Sequence, residues 1–170
     1  MPSLPSLRAP AVALLTCALL AGAAGCGDGG DGRGGRDDGG PRRVGEVLSR
    51  TDAEGHHYRR VPEEGAPEVG LIVKPQTGPA GGWEVRVRVR RFRLSPPGTP
   101  ARAVEGHGYV RLYLDGRFLA RPRSVDYRLP GTRLHRGTHH LTARLYADDH
   151  TVWAVADKPV EATADLTASP

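Results

Sequence analysis

The chain has 170 residues, with 24 Lys or Arg against 19 Asp or Glu and a net charge of +5. That length suits one domain of ordinary size. Only 5% of its residues are aromatic, while 23 Gly and 15 Pro interrupt it, which disfavours a large helical core and favours strands joined by turns.

Residues 1–25 read as a secretory leader. Arg8 precedes an uncharged apolar run, Ala9 to Gly22, which ends in Ala23-Ala24-Gly25-Cys26. A permanent membrane helix needs about 20 apolar residues, more than this run supplies. The small residues before Cys26 resemble the lipobox of bacterial lipoproteins, with Ala23 in place of the usual Leu. The resemblance implies cleavage before Cys26 and a diacylglycerol on its sulfur, which is a stable membrane anchor. Cys17 would leave with the leader, so the mature chain would have no intramolecular disulfide.

Residues 26–68 are expected to be a lipidated cysteine followed by a flexible linker. Gly27 to Gly40 contains no apolar residue and cannot offset its own ordering entropy. Asp28 and Asp31 lack the spacing and the closing Glu of a calcium loop. Beyond them, Val44 to Leu48 suggests a helical turn, and His56-His57-Tyr58 the start of a short strand. Residues 27–68 hold 7 Arg and 10 Asp or Glu, whereas 69–170 hold 16 Lys or Arg and 9 Asp or Glu, so the basic character belongs to the later part.

A β domain is predicted over 69–168. Val69 to Lys74 makes a first strand, closed by Pro75. Trp83, Val85, Val87 and Val89 then alternate with Glu84, Arg86, Arg88 and Arg90, the period-two pattern of a half-buried strand. The phase slips at Phe92 and Leu94, and a bulge near Arg90-Arg91 would restore it. The clearest hairpin lies around Asp115-Gly116, a pair suited to a type I′ turn, with Leu112 facing Leu119 and Tyr113 facing Phe118. Further strands are predicted at Ser124 to Leu129, from Gly137 through Leu145, at Val152 to Val155 and at Val160 to Leu166. About seven strands with frequent turns indicate an antiparallel β-sandwich of immunoglobulin-like type, with a barrel as the alternative.

Several of these segments resemble a family of exported bacterial immunoglobulin-like domains of largely unassigned function, marked by Gly-His-x-His-Leu-Tyr-x-Asp-Gly and Asn-Asp-His motifs. The matching segments are Gly106-His107 through Leu112-Tyr113-Leu114-Asp115-Gly116, then Tyr127-Arg128-Leu129, Leu145-Tyr146-Ala147-Asp148-Asp149-His150 and Trp153-Ala154. The resemblance implies the sandwich fold and brings no activity. This chain keeps His107 and His150 where the family has further histidines, with Arg128 and Tyr146 standing at other motif positions.

Two candidate sites follow. His107, His150 and Asp148, with Asp149, His139 and His140 as possible additions, would supply nitrogen and oxygen ligands for copper or zinc in an envelope metal-binding protein. His139 and His140 are neighbours on a predicted strand and would point to opposite faces. Arg86, Arg88 and Arg90 line one strand face, which could meet an anionic envelope polymer or lipid head groups. With 22 Arg against 2 Lys, however, the stripe also reads as a solvated face in an Arg-rich composition. The chain has no Gly-x-Ser-x-Gly elbow and no phosphate loop. The expectation is therefore a lipid-anchored binding or structural module on the extracytoplasmic side of the membrane, with no catalysis, no cofactor and no nucleic acid partner.

Overall fold

A computed structural model describes residues 44–77 and 81–168; the leader, Cys26 and the Gly-rich tether lie outside the described residues. Within that span the protein is all-β, with twelve strands and one short 3₁₀ turn at Gly131–Arg133. In chain order the strands are β1 (Glu46–Thr51), β2 (His57–Arg60), β3 (Glu68–Pro75), β4 (Trp83–Arg90), β5 (Arg93–Leu94) and β6 (His107–Leu114). They continue with β7 (Arg117–Ala120), β8 (Asp126–Leu129), β9 (Gly137–Tyr146), β10 (Val152–Val155), β11 (Lys158–Pro159) and β12 (Glu161–Ala168).

These strands build two sheets. The smaller has the order β3-β4-β8 and is antiparallel throughout. The larger runs β1-β2-β10-β9-β6-β5, with β12 added to β9, β7 to β6 and β11 to β10. It is mixed, because β2 pairs in parallel with β10 and β5 in parallel with β6. The count of seven strands and the purely antiparallel expectation are both corrected here. The extra strands come largely from segments too short for sequence periodicity to reveal.

The alternation predicted for β4 is present. Val85 and Val87 are buried, while Arg86, Arg88 and Arg90 point to solvent. The inward side chains of β4 meet Val110 and Leu112 of β6, Leu141, Ala143 and Leu145 of β9, Leu129 and Leu166 in a single core between the two sheets. Trp153 is its largest fully buried member, and its indole N–H donates to the His107 carbonyl at 3.3 Å. A buried indole needs such a partner.

Two segments depart from expectation in instructive ways. Val44 to Leu48 forms no helical turn; Glu46–Thr51 is a strand paired with β2, so the predicted linker stops short of 68 and the chain has joined the large sheet by β1. The phase slip after Arg90 is a change of sheet rather than a bulge. Arg91 takes a left-handed φ of 51° and the chain turns out of the small sheet, to pair as β5 with β6 in the large one. Phe92 is buried at that corner, and the Arg91 side chain is tied to the Ala66 carbonyl and to Glu68.

The central hairpin forms as a type I′ turn, with φ of 51° at Asp115 and 78° at Gly116. Tyr113 faces Phe118 as predicted, but Leu112 faces Ala120 because the register shifts by one between them. That shift inserts Leu119 as an extra residue.

Candidate functional site

The large sheet has a second, outward face, and its chemistry is unusual. Alternation along β6 and β9 puts Tyr109, Arg111 and Tyr113 beside Tyr146, Arg144 and Thr142, in direct cross-strand register. Two arginines set opposite each other on adjacent strands repel. The loop Asp52–His56, between β1 and β2, supplies the compensating charge. Glu54 meets Arg111 at 2.5 Å, and Asp52 lies 3.6 Å from Arg144, which also bonds Glu161 at 2.7 Å.

Asp52 organises this cover. Its side chain is 1% exposed, and it accepts from the Tyr146 hydroxyl at 2.7 Å and from the backbone N–H groups of Glu54 and His56 at 2.9 Å each. Burial alone would push its carboxyl up, but the Tyr146 hydroxyl and the two backbone donors outweigh it and hold the group below the usual carboxylate range. Burial pushes the Tyr146 phenol far above its ordinary range, with Tyr113 and Asp52 adding to the effect. Burial likewise raises Tyr113 and Tyr109. These phenols stay protonated near neutrality and serve as hydrogen-bonding groups. The Tyr113 oxygen lies 2.5 Å from that of Tyr146 and 3.1 Å from Glu54, and can give its one proton to either.

At one end of the face the network opens to solvent. Tyr109 stacks on Tyr146, with ring centroids 5.4 Å apart and planes 11° apart, and its hydroxyl meets His150 Nδ1 at 2.8 Å. The Arg121 guanidinium lies 3.5 Å from the Tyr109 ring centroid, a close cation–π contact. Beside them is an open cavity of about 550 Å³, whose lining includes Tyr109, Arg121, Arg123, Ser95, Pro96 and Pro122. Small-molecule sites commonly fall in the range of roughly 300 to 1,000 Å³.

The residues singled out from sequence fall into three groups. His107, His150 and Asp148 are not gathered as ligands: His107 Nδ1 bonds the Glu105 carbonyl at 2.8 Å, His150 bonds Tyr109, and Asp148 accepts from the Ser95 hydroxyl at 2.6 Å. His139 and His140 are likewise spent on Asp115 and Asp165, on different sides of β9, and Asp149 pairs with Arg59. Among the described residues the one trio of His, Asp or Glu with ligand atoms within 4.8 Å of one another is Asp52, Glu54 and His56. Arg111 and Arg144 already sit on those carboxylates, so the trio reads as part of the loop's anchorage.

The arginine stripe is exposed, but much of it is neutralised. Arg86 pairs with Asp126 at 2.7 Å and Arg90 lies 3.5 Å from Glu68, which leaves Arg88 without an acidic partner among the described residues. Cys26 lies outside the described residues. The cavity's arginines were not singled out from sequence, although Arg121-Pro122-Arg123 directly follows the hairpin. Their only local signal is two cations held apart by a rigid proline.

An all-β fold with a buried tyrosine–arginine–carboxylate network and a basic cavity at its edge defines the class of protein that can be stated here. No family model, no curated protein and no solved structure matches the chain.

Proposed function

We propose that this protein is a lipid-anchored, extracytoplasmic β-sandwich of immunoglobulin-like type that acts as a binding module at the bacterial cell envelope, fastened through Cys26. The sandwich reading is supported by the single apolar core shared by two sheets and by the predominance of antiparallel pairing. The anchor is supported by the apolar leader and the small residues before Cys26.

The observation that carries the binding role is the cavity beside Tyr109. Part of its wall is tied down without a ligand, because Arg121 rests on the Tyr109 ring while His150 holds the Tyr109 hydroxyl and Asp148 holds Ser95. A site ordered in advance avoids much of the entropic cost of binding. Protonated phenols and paired carboxylates suit recognition better than nucleophilic or acid–base chemistry.

The test is saturable binding of the full chain to isolated cell envelopes, compared with a variant, Pro97→Trp, that crowds the cavity from Pro97 in its wall. Loss of binding in the variant is the expected result; equal binding by both would end the assignment of the cavity. Metabolic labelling with a palmitate analogue tests the anchor separately, since the label should disappear in Cys26→Ala.

A further inference from the structure

The geometry points to the class of ligand this cavity takes: a compact organic anion of about hexose size, whose carboxylate or phosphate group is held by Arg121 and Arg123. This inference rests on the binding reading above and deepens it.

Among the described residues, neither Arg121 nor Arg123 forms an ion pair or a side-chain hydrogen bond, and both residues line the cavity. Guanidinium groups only donate. The Ser95 hydroxyl gives its proton to Asp148, and the Tyr109 hydroxyl is engaged with His150. No carboxylate is among the lining residues, and Asp148, which accepts from Ser95, is buried. The guanidinium N–H groups are therefore the charged donors a ligand meets in this cavity, and they call for an acceptor group that carries negative charge. Two arginines without counter-charges favour a carboxylate or a phosphate, which match the planar fork of guanidinium.

The rest of the ligand is constrained by the walls. Both faces of the Tyr109 ring are covered, one by Tyr146 and the other by Arg121, so no aromatic face is offered for stacking. What remains is Leu94, three prolines and the flat outer side of a guanidinium, surfaces that take the C–H face of a saturated ring. A sugar acid and a sugar phosphate share this chemistry.

Calorimetry of the full chain with four probes separates the outcomes: glucuronate, glucose 1-phosphate, glucose and inorganic phosphate. Binding of either sugar anion, with glucose weaker by roughly tenfold or more, supports the inference, and the better of the two anions tells carboxylate from phosphate. Arg121→Gln and Arg123→Gln should each weaken that binding by a similar factor, whereas Arg88→Gln, on the other sheet, should leave it unchanged. If glucose binds as well as its charged counterparts, or if both cavity variants bind normally, the inference is overturned. If neither sugar anion binds while envelope binding persists and still depends on the cavity, the ligand class is wrong and the binding module stands. If envelope binding is also absent, both readings fall.

Discussion

Replacing Asp52 with Asn tests the outward face of the large sheet with almost no change of shape. The amide oxygen can keep the two backbone N–H bonds from Glu54 and His56, both 2.9 Å long in the native protein. The amide nitrogen then occupies the place of Oδ2, where it confronts the Tyr146 hydroxyl at 2.7 Å and the Arg144 guanidinium at 3.6 Å. Tyr146 loses a charged acceptor, and Arg144 keeps only Glu161. A hydrogen bond to a charged group contributes about 1.5 to 3 kcal/mol, so Asp52→Asn should cost about 2 to 3 kcal/mol. Urea denaturation measures this as a lower midpoint with an unchanged slope. Tyr146→Phe removes the same bond from the other side, and the double variant should show a coupling of about 1 kcal/mol or more. The pH dependence has a definite sign. The Asp52 carboxyl is depressed in the folded state, so its contribution is present above the unfolded value of about 3.9 and lost as pH falls through the folded one. The gap between wild type and Asp52→Asn should therefore narrow in acid. A variant within about 0.5 kcal/mol of wild type at neutral pH, the range of an ordinary surface substitution, would refute the account of this network.

Gly108 has a φ of +143°, and a Cβ there would overlap the Tyr146 carbonyl oxygen, so Gly108→Ala should cost more than about 3 kcal/mol by thermal or urea unfolding. Gly116→Ala, with φ of +78° and open space around it, should cost only about 1 to 2 kcal/mol. Leu141→Ala, at a fully buried site facing the small sheet, should cost about 2 to 5 kcal/mol in the same assay. His139 holds Asp115 through Nδ1 at 2.7 Å and the His135 carbonyl through Nε2 at 2.9 Å, an arrangement that suits the doubly protonated ring. Its pKa is raised, chiefly by Asp115, so the stabilisation is full below about 6.5 and fades as pH rises through the folded value. An NMR titration midpoint above about 6.5 in wild type, falling in Asp115→Asn, is the expected result; equal midpoints would remove the pair from the argument.

What was legible in the sequence was whatever a local pattern determines. The β4 alternation and the Asp115-Gly116 turn depend on period and on backbone freedom, both written within a few neighbouring residues. Val44 to Leu48 suggests a helical turn from sequence because EVLSRT has little alternation of its own and becomes a strand only by pairing with β2. Arg91 turning left-handed could not be anticipated either, since arginine has no special tolerance for that conformation and the corner is held by distant Ala66 and Glu68. The candidate site was hidden for the same reason. Histidines and aspartates draw attention as ligands, yet here they are spent on carbonyls, hydroxyls and turn backbones. The groups that meet at the cavity come from three separate stretches, Leu94 to Gly98, Tyr109 and Arg121 to Arg123, and are joined only by strand pairing.

The buried network and the cavity are two ends of one construction. Register places Tyr109 opposite Tyr146 and Arg111 opposite Arg144, and such a face cannot stand in water as it is, with two cations side by side and three large rings partly apolar. Asp52 and Glu54 solve the charge problem, and their loop engages the hydroxyls of Tyr113 and Tyr146 and sets His56 edge-on to the Tyr146 ring. Among the described residues the loop's polar side chains bond Arg111, Tyr113, Arg144 and Tyr146, and none bonds Tyr109. Tyr109 is covered on its far side by Arg121 instead, which arrives from the hairpin's returning strand with its charge unspent. The position of that guanidinium thus depends on a stack of rings whose other end is pinned by a buried carboxylate. If this is right, Tyr146→Phe, which keeps the ring, should leave ligand affinity nearly intact while lowering stability, whereas Tyr146→Ala should lower both. Equal loss of affinity in the two variants would show that the cavity answers to the hydrogen bond rather than to the stack.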